Sequence, residues 1–343
     1  MFSIVLALLE ISRYNYGVGG DDMITLSKLA ALAHVSVSTA SKAFSMSSEV
    51  SEQTRETIFQ IAREQGCFKK FFNAKYPKYV IAVICPEYKS HFYNSALSHL
   101  QERLSAHSCE VCVASTNFSA QTEADLLEYY SHYANVDGIN VINGKVPLNL
   151  PGEIPVATIL PNLGCEGAIT LATDCIDAIT EAIRHFLGNG ITDIGFIGDR
   201  HTGSKEKFFL STAQALSLDR ETIRSSITEE RFETGGYKAF EKYLESGHIP
   251  RAIFCAYDYM AIGAIRCACE HGLRVPEDVA IVGMDNIPEN CYLNPPLSSI
   301  DFNMDKLCTI AADAIMQRMS NPDFALRHKV PATFHLRASA MIK

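Results

Sequence analysis

A chain of 343 residues, 47% of them hydrophobic, has length for two or three compact units and apolar content for their cores. Its net charge of −9 excludes indiscriminate nucleic-acid binding by the whole surface. Its eleven cysteines, an odd number spread over helix-like and strand-like stretches, fit reduced thiols rather than a disulfide framework.

Residues 1–22 stand apart as an N-terminal extension. Its apolar run Phe2 to Leu9 is too short to span a bilayer and lacks the basic start of a signal peptide. Met23, just ahead of the first patterned segment, is a candidate natural start. These features point to a cytoplasmic protein with no membrane association.

Residues 23–66 predict three short helices. Leu26, Leu29, Ala30 and Ala33 recur at helical spacing, with Thr25 placed to cap the first turn. The turn Ala33-His34-Val35-Ser36 follows, and Ser36 is placed to cap a second helix from Val37 to Phe44. Ala40, Ala43 and Phe44 face inward on that helix, which leaves Val37, Ser38, Ser41 and Lys42 outside. A first turn that is small, hydroxyl-bearing and apolar, with a cation further on, suits entry into a major groove. Ser51 is placed to cap a third helix, whose Ile58, Ile61 and Ala62 close a miniature core. Met23 to Tyr76 holds seven Lys/Arg and four Glu, a net +3 that leaves −12 on the remainder. A basic head on an acidic body puts phosphate attraction where the second helix lies.

Residues 67–78 form a linker in which Phe68, Phe72 and Tyr76 recur every four residues beside Lys69, Lys70 and Lys75. That stripe suits either an apolar wedge with phosphate-binding neighbours or a set of rings covering the end of the third helix.

From Tyr79 onward, short β-branched runs alternate with amphipathic stretches. YVIAVICP, EVCVAST, DGINVIN and PVATIL make a first set, with helices over Phe92 to His107 and Gln121 to Tyr133. AITLATD, DIGFIGD, AIFCAYD and VAIVGMD make a second, with helices over Asp177 to Leu187 and Tyr259 to His271. Such alternation means α/β architecture: parallel sheets flanked by helices, here in two lobes. The pattern divides residues 79–343 into lobe 1, about 79–160 plus 288–318, and lobe 2, about 161–287 plus 319–343. Cys109 and Cys112 sit in a strand that sends them to opposite faces, and Cys267 and Cys269 lie in a helical run. No metal site and no cofactor are expected.

VSVSTASKAF followed by EVSEQTR resembles the helix-turn-helix of the LacI/GalR family of bacterial transcriptional regulators, and IPRAIFCAYDYMAIGAIRCACEHGLRVPEDVAIVGMDNIP resembles the same family's body. The resemblance implies a homodimeric, sequence-specific repressor with a periplasmic-binding-protein-like body, two heads on a near-palindromic DNA operator, and a carbohydrate-like small-molecule effector. It implies base contacts from Val37, Ser38 and Lys42, and phosphate contacts from Thr39, Ser41, Ser51 and Thr54. The linker departs from the family's Tyr-x-Pro-Asn start and its small helix, so minor-groove contact by Lys69, Phe72 or Tyr76 is the weakest of these expectations.

For the effector, Asp285 matches a position where the family places a carboxylate on a ligand hydroxyl; a loop-capping Asp is the plain alternative. Tyr257 stands where an asparagine is common, and Asp258 is expected to cap the helix that follows it. Leu160-Pro161-Asn162 replaces a common Asp-Arg. No arginine falls on the family's clamping position in KEKFFLSTAQAL, which leaves Lys205 or Lys207 to substitute, and Lys207 is carried as the candidate. His91, Phe92 and Tyr93 offer an aromatic platform. A solute-binding or sensor protein with the same body fold is the alternative function. An enzyme is not expected, since GDRHTGSKEK lacks phosphate-loop spacing and no nucleophile–base motif stands out.

Overall fold

The computed structural model describes residues 24–72, 79–134, 136–148, 154–162, 164–220 and 223–342, and the chain divides into two compact units, the first ending at Tyr79 and taking in Ser108–Glu110, the second made of Val80–His107 and Val111–Lys343. Residues 1–22, with the candidate start at Met23, lie outside the described residues, as does Tyr76 of the linker.

In the head, α1 (Leu26–Leu32), α2 (Val37–Phe44) and α3 (Glu52–Glu64) each begin at the hydroxyl that the sequence places there. Thr25 accepts from Lys28 N, Ser36 from Thr39 N and Ser51 from Thr54 N, so each cap satisfies one of the orphan donors of a helix start. The turn between α1 and α2 passes through His34 at φ 52°, a left-handed conformation that lets the chain reverse within a few residues. Leu29, Ala43, Phe44, Ile58, Phe59 and Ala62 form the core, with Ile61 half-buried at its edge. A short turn, α4 (Phe68–Phe71), folds more rings onto this core. Phe68 and Phe72 stack at 4.7 Å, and both meet Phe59 edge-on at 5.1 and 5.2 Å.

The body contains two six-stranded sheets. The first runs in the order β11 (Leu326–Pro331), β5 (Ile169–Asp174), β4 (Val156–Ile159), β3 (Gly138–Ile142), β1 (Tyr79–Cys85), β2 (Cys109–Ser115). The second runs β12 (Thr333–His335), β10 (Ser298–Asp301), β9 (Ala280–Met284), β8 (Ala252–Cys255), β6 (Ile194–Asp199), β7 (Arg224–Thr228). Pairing is parallel from β7 through β10 and from β1 through β3, β4 and β5 to β11, with β12 antiparallel to β10. The central strands are buried end to end, as parallel strands covered on both faces must be.

Helices α5 (His91–Ala106), α6 (Ala120–His132) and α11 (Met304–Ser320) belong to lobe 1, and α7 (Ile176–Gly188), α8 (Gly203–Ala215), α9 (Phe232–Glu245) and α10 (Asp258–Glu270) to lobe 2. Helix α11 spends Leu307, Cys308, Ala311, Ala312 and Ile315 inside lobe 1, against α5 and the sheet.

Three strands fall on the other lobe from the one that alternation suggested. AITLATD is β5 and closes the first sheet instead of opening the second. LSSID supplies β10 to the second sheet, while residues 326–331 return as β11 to the first. The reason is pairing: β5 registers with the preceding strand β4 on one side and with β11, far along the chain, on the other, and periodicity reveals neither partner. The chain therefore crosses between lobes three times, near 174–176, 301–304 and 331–333. These crossings are stitched together: Thr173 Oγ1 donates to Phe302 O (3.2 Å), Ala332 N to Asp174 O (2.8 Å) and Asn303 Nδ2 to Pro331 O (2.6 Å).

Strand β7 and helix α9, unmarked by the sequence pattern, complete lobe 2. Helices α9 and α10 approach so closely that a Cβ on Gly236 would lie 1.9 Å from Met260 O, and one on Gly263 1.9 Å from Glu233 O. Gly236→Ala should thus lower stability by ~1–3 kcal/mol or more through overpacking, against the gain helix propensity alone would give. A thermal melt in which Gly236→Ala equals or exceeds the parent would refute this close-packing account.

Candidate nucleic-acid interface and effector cleft

On the head, α2 displays what a base-reading helix needs. Val37 is 46% exposed on the first turn, unusual for a valine that close to a complete core. Ser38 and Ser41 are exposed beside it, and Thr39 is half-exposed. The Thr39 hydroxyl is engaged with Ser36 Oγ at 2.8 Å, and Thr54 with Ser51 at 2.8 Å, so both pairs are part of a capped helix start. Lys42 Nζ sits 2.5 Å from Glu49, an exposed pair weak enough for a phosphate or a guanine to displace. Arg55 donates to Ser47 O and Val50 O and fastens the loop between α2 and α3. The Phe72 ring belongs to the aromatic cluster of the head core. Nothing is described of the Lys69 side chain.

In the body, the strands of both sheets end facing one cleft, the usual place for a ligand in open α/β sheets. The sequence candidates divide there. Ser90 caps α5, whose first turn carries half-buried His91 and Phe92 and buried Tyr93. Phe92 meets Phe302 of the β10 end at 6.1 Å, and Tyr93 Oη accepts from Asn143 Nδ2 at 2.8 Å. Burial pushes the Tyr93 phenol up, so it stays neutral.

Lys205, and not Lys207, enters the cleft. The two are separated by about 200° around α8, and Lys207 is exposed on the outer side. The Lys205 ammonium donates to Ala256 O at 2.8 Å and to Asp285 Oδ1 at 3.1 Å. Phe302, Phe92 and Tyr257 surround it at 4.9, 5.6 and 5.9 Å from their centroids.

Asp285 is held at φ 103°, a left-handed conformation that costs a non-glycine residue about 1–3 kcal/mol. Burial raises its carboxyl pKa, and Lys205 works against that rise. What holds it is Asp258. The expectation that Asp258 caps its helix is corrected: Tyr257 occupies the cap position, and Asp258 turns away from the helix backbone. Its carboxylate accepts instead from Ile287 N (2.9 Å), Asn290 Nδ2 (2.8 Å) and Ser299 Oγ (2.7 Å), pinning the loop after β9. Gly283 makes the room, since a Cβ there would lie 2.0 Å from Asp258 Oδ1. Complete burial, with Asp285 adding to it, pushes the Asp258 carboxyl up to about 7.

Tyr257 is a structural member of the cleft wall: its hydroxyl donates to Asp199 Oδ2 at 2.7 Å and accepts from Phe232 N at 2.9 Å. Of the Leu160-Pro161-Asn162 turn, Asn162 donates to Gly144 O at 3.0 Å within lobe 1.

Among the cleft residues that sequence reasoning missed are Glu87, Phe118, His201 and Arg231. Phe118 of lobe 1 stacks on His201 of lobe 2 at 4.1 Å and 18°. Burial lowers the His201 pKa, so the ring is a neutral stacking partner. Arg231 binds both oxygens of Glu87. Each follows a strand by a residue or more, a position that becomes meaningful only after β1, β2, β6 and β7 are placed. Among the described residues there is no metal-holding cluster, and no helix is long and apolar enough to cross a membrane.

Comparison with known proteins agrees with this architecture. A model of the lacI family of bacterial regulatory proteins matches residues 25–66, and one of periplasmic binding protein-like domains matches residues 183–340. The chain is 25% identical over 316 residues to the HTH-type transcriptional repressor PurR of Edwardsiella ictaluri, covering 87% of this chain and 91% of that protein. It is 26% identical to the ribose operon repressor of Haemophilus influenzae, covering 88% and 93%. With the HTH-type transcriptional repressor CytR of Escherichia coli K12 the identity is 27%, covering 80% and 84%. Among solved structures, the lac repressor dimer bound to operator and an anti-inducer superposes with a TM-score of 0.68 at 18% identity, covering 94% of this chain and all of that one. A complex of the regulator CelR with cellobiose gives 0.65 at 21% identity, covering 93% and 100%; both likenesses speak for the fold. The domain pair, a lacI-type helix-turn-helix followed by a periplasmic-binding-protein-like body, defines the class. The chain thus joins a lacI-type helix-turn-helix head to a periplasmic-binding-protein-like body, and the curated relatives it matches are transcriptional repressors.

Asp258 gives the cleft a measurable pH signature. Its pKa is raised from 3.8 to about 7 on folding, so its contribution is fully present below 3.8 and is lost as pH rises through 7. Asp258→Asn should flatten the fall in melting temperature between those pH values relative to the parent; parallel pH profiles for the two proteins would refute the assignment.

Proposed function

We propose that this protein is a sequence-specific DNA-binding transcriptional regulator, a homodimeric repressor whose operator affinity is set by a carbohydrate-like small molecule. The observation that carries the reading is the exposed first turn of α2, where Val37 and Ser38 stand free on a capped helix braced by a full core. Val37 suits a thymine methyl and Ser38 a base edge, with Lys42 leaving Glu49 for guanine or phosphate. Thr39, Ser41, Ser51 and Thr54 position the head on phosphates and specify no sequence. Two heads related by a two-fold axis read a near-palindrome. Such work places the protein in the cytoplasm, with DNA.

In the body we read binding rather than catalysis. Asp285 and Lys205 offer an acceptor and a donor for ligand hydroxyls, and His91, Phe92 and the Tyr93–Asn143 pair form the facing wall. Effector and operator affinities must then be coupled reciprocally. Minor-groove contact by Lys69 and Tyr76 is part of the proposal; Phe72 joins it only by leaving the head core.

Selection of operators from a random duplex pool tests the head. Ser38→Ala with Lys42→Ala should abolish sequence preference while the body melts unchanged, and an unaltered selected sequence would sink the assignment of α2. A thermal-shift screen against sugars, sugar phosphates and nucleosides tests the cleft. Lys205→Ala should remove the shift produced by any hit and Lys207→Ala should keep it; the opposite pattern would return the ligand contact to Lys207.

A further inference from the structure

The effector cleft already contains an occupant, and it is part of the chain. Arg231, between β7 and α9 of lobe 2, reaches Glu87, which follows β1 of lobe 1. Its Nη1 and Nη2 donate to the two Glu87 oxygens at 2.8 and 2.9 Å, and its Nε donates to Asp199 Oδ2 at 3.3 Å. Phe118 of lobe 1 and Phe232 of lobe 2 lie over the guanidinium at 5.1 and 4.6 Å. Glu87 is 7% exposed and Asp199 2%. Two buried carboxylates and two aromatic faces around one planar cation make a completed binding site. Burial opposes the Arg231 charge, but the bonds to Glu87 hold the guanidinium protonated all the more firmly.

Two walls of that site, Glu87 and Phe118, come from lobe 1, while Arg231 comes from lobe 2. The site is therefore complete only when the lobes are closed. We propose that Arg231 is a built-in ligand that holds the body closed with no small molecule present. The proposal rests on the reading of this cleft as the effector site and specifies its regulation. An effector does not have to create closure; it shifts an equilibrium by its difference in affinity for the two arrangements. A neutral polyol that adds bonds to Asp285 and Lys205 reinforces the closed form. A planar cation that takes Glu87 for itself releases Arg231 and opens it. Lysine cannot replace the fork, because a point charge does not span both carboxylate oxygens.

The chain contains no tryptophan, so a single introduced one reports without background. His201→Trp places it opposite Phe118, across the two lobes and outside the Arg231–Glu87 pair. In the ligand-free full chain this tryptophan should emit as a buried ring and be weakly quenched by acrylamide. Adding Glu87→Gln, which is close to isosteric, should raise the quenching constant several-fold and move the emission to the red, while the melt stays cooperative. Arg231→Lys should do the same. Arg231→Ala should also do so, and millimolar ethylguanidinium should restore weak quenching there but not when Glu87→Gln is present as well. Equal quenching in the parent and Glu87→Gln proteins, or no response of Arg231→Ala to ethylguanidinium, would overturn the proposal. No DNA or effector enters the measurement, so its failure leaves the regulator reading intact, and failed operator selection leaves the Arg231 proposal intact.

Discussion

The body depends on the three backbone crossings between its lobes. Two open sheets joined by one linker would drift apart, and two joined by a wide packed interface would not move. Three short crossings, near 174–176, 301–304 and 331–333, lie in between: hydrogen bonds among Thr173, Asp174, Phe302, Asn303 and Ala332 keep them together. They set the strand ends of one sheet against those of the other and leave the opening between them to be decided by side chains. Hinges of this kind absorb motion at a few element-terminal residues, here including Asn303 at φ 52°. A small number of charge-assisted contacts in the cleft then outweighs its share of the molecule.

Electrostatic matching decides which carboxylates can occupy that cleft. Asp199 and Glu87 share Arg231, and Asp285 has Lys205; each buried acid has its own cation or shares one. Burial raises the Asp285 carboxyl too, against Lys205, whereas Asp258 has donors but no cation, and its carboxyl is carried up to about 7. Its position explains the exception. It is spent on holding a strained loop, so that Asp285 reaches the cleft with a backbone conformation it would not adopt by itself.

The head solves a different problem with few residues. A three-helix unit of this size has little apolar surface to bury, and the rings of Phe44, Phe59, Phe68, Phe71 and Phe72 supply much of it. Serine and threonine caps anchor the starts of α1, α2 and α3, so α2 can leave its first turn to solvent without fraying. The aromatic stripe that looked available for a groove is, as far as Phe72, part of the core that α2 packs on.

Local information carried the head. Caps, turn and inward-facing residues all act over four residues or fewer, so Thr25, Ser36, Ser51, Val37 and Ser38 were readable from spacing. The α/β character of the body was readable for the same reason, because period two and period 3.6 are local signals. Strand partners were not: β5 and β10 pair with the strand before each in sequence, β11 pairs with β5 far back along the chain, and period two marks a strand without saying which sheet it joins. The cleft followed the sheets. Asp258 resembled a helix cap until the loop after β9 was placed beside it, and Lys207 resembled Lys205 until the helix assigned them different faces. Arg231 and Glu87, 144 positions apart, carry no sequence mark at all, because an ion pair between lobes exists only once both lobes have folded and met.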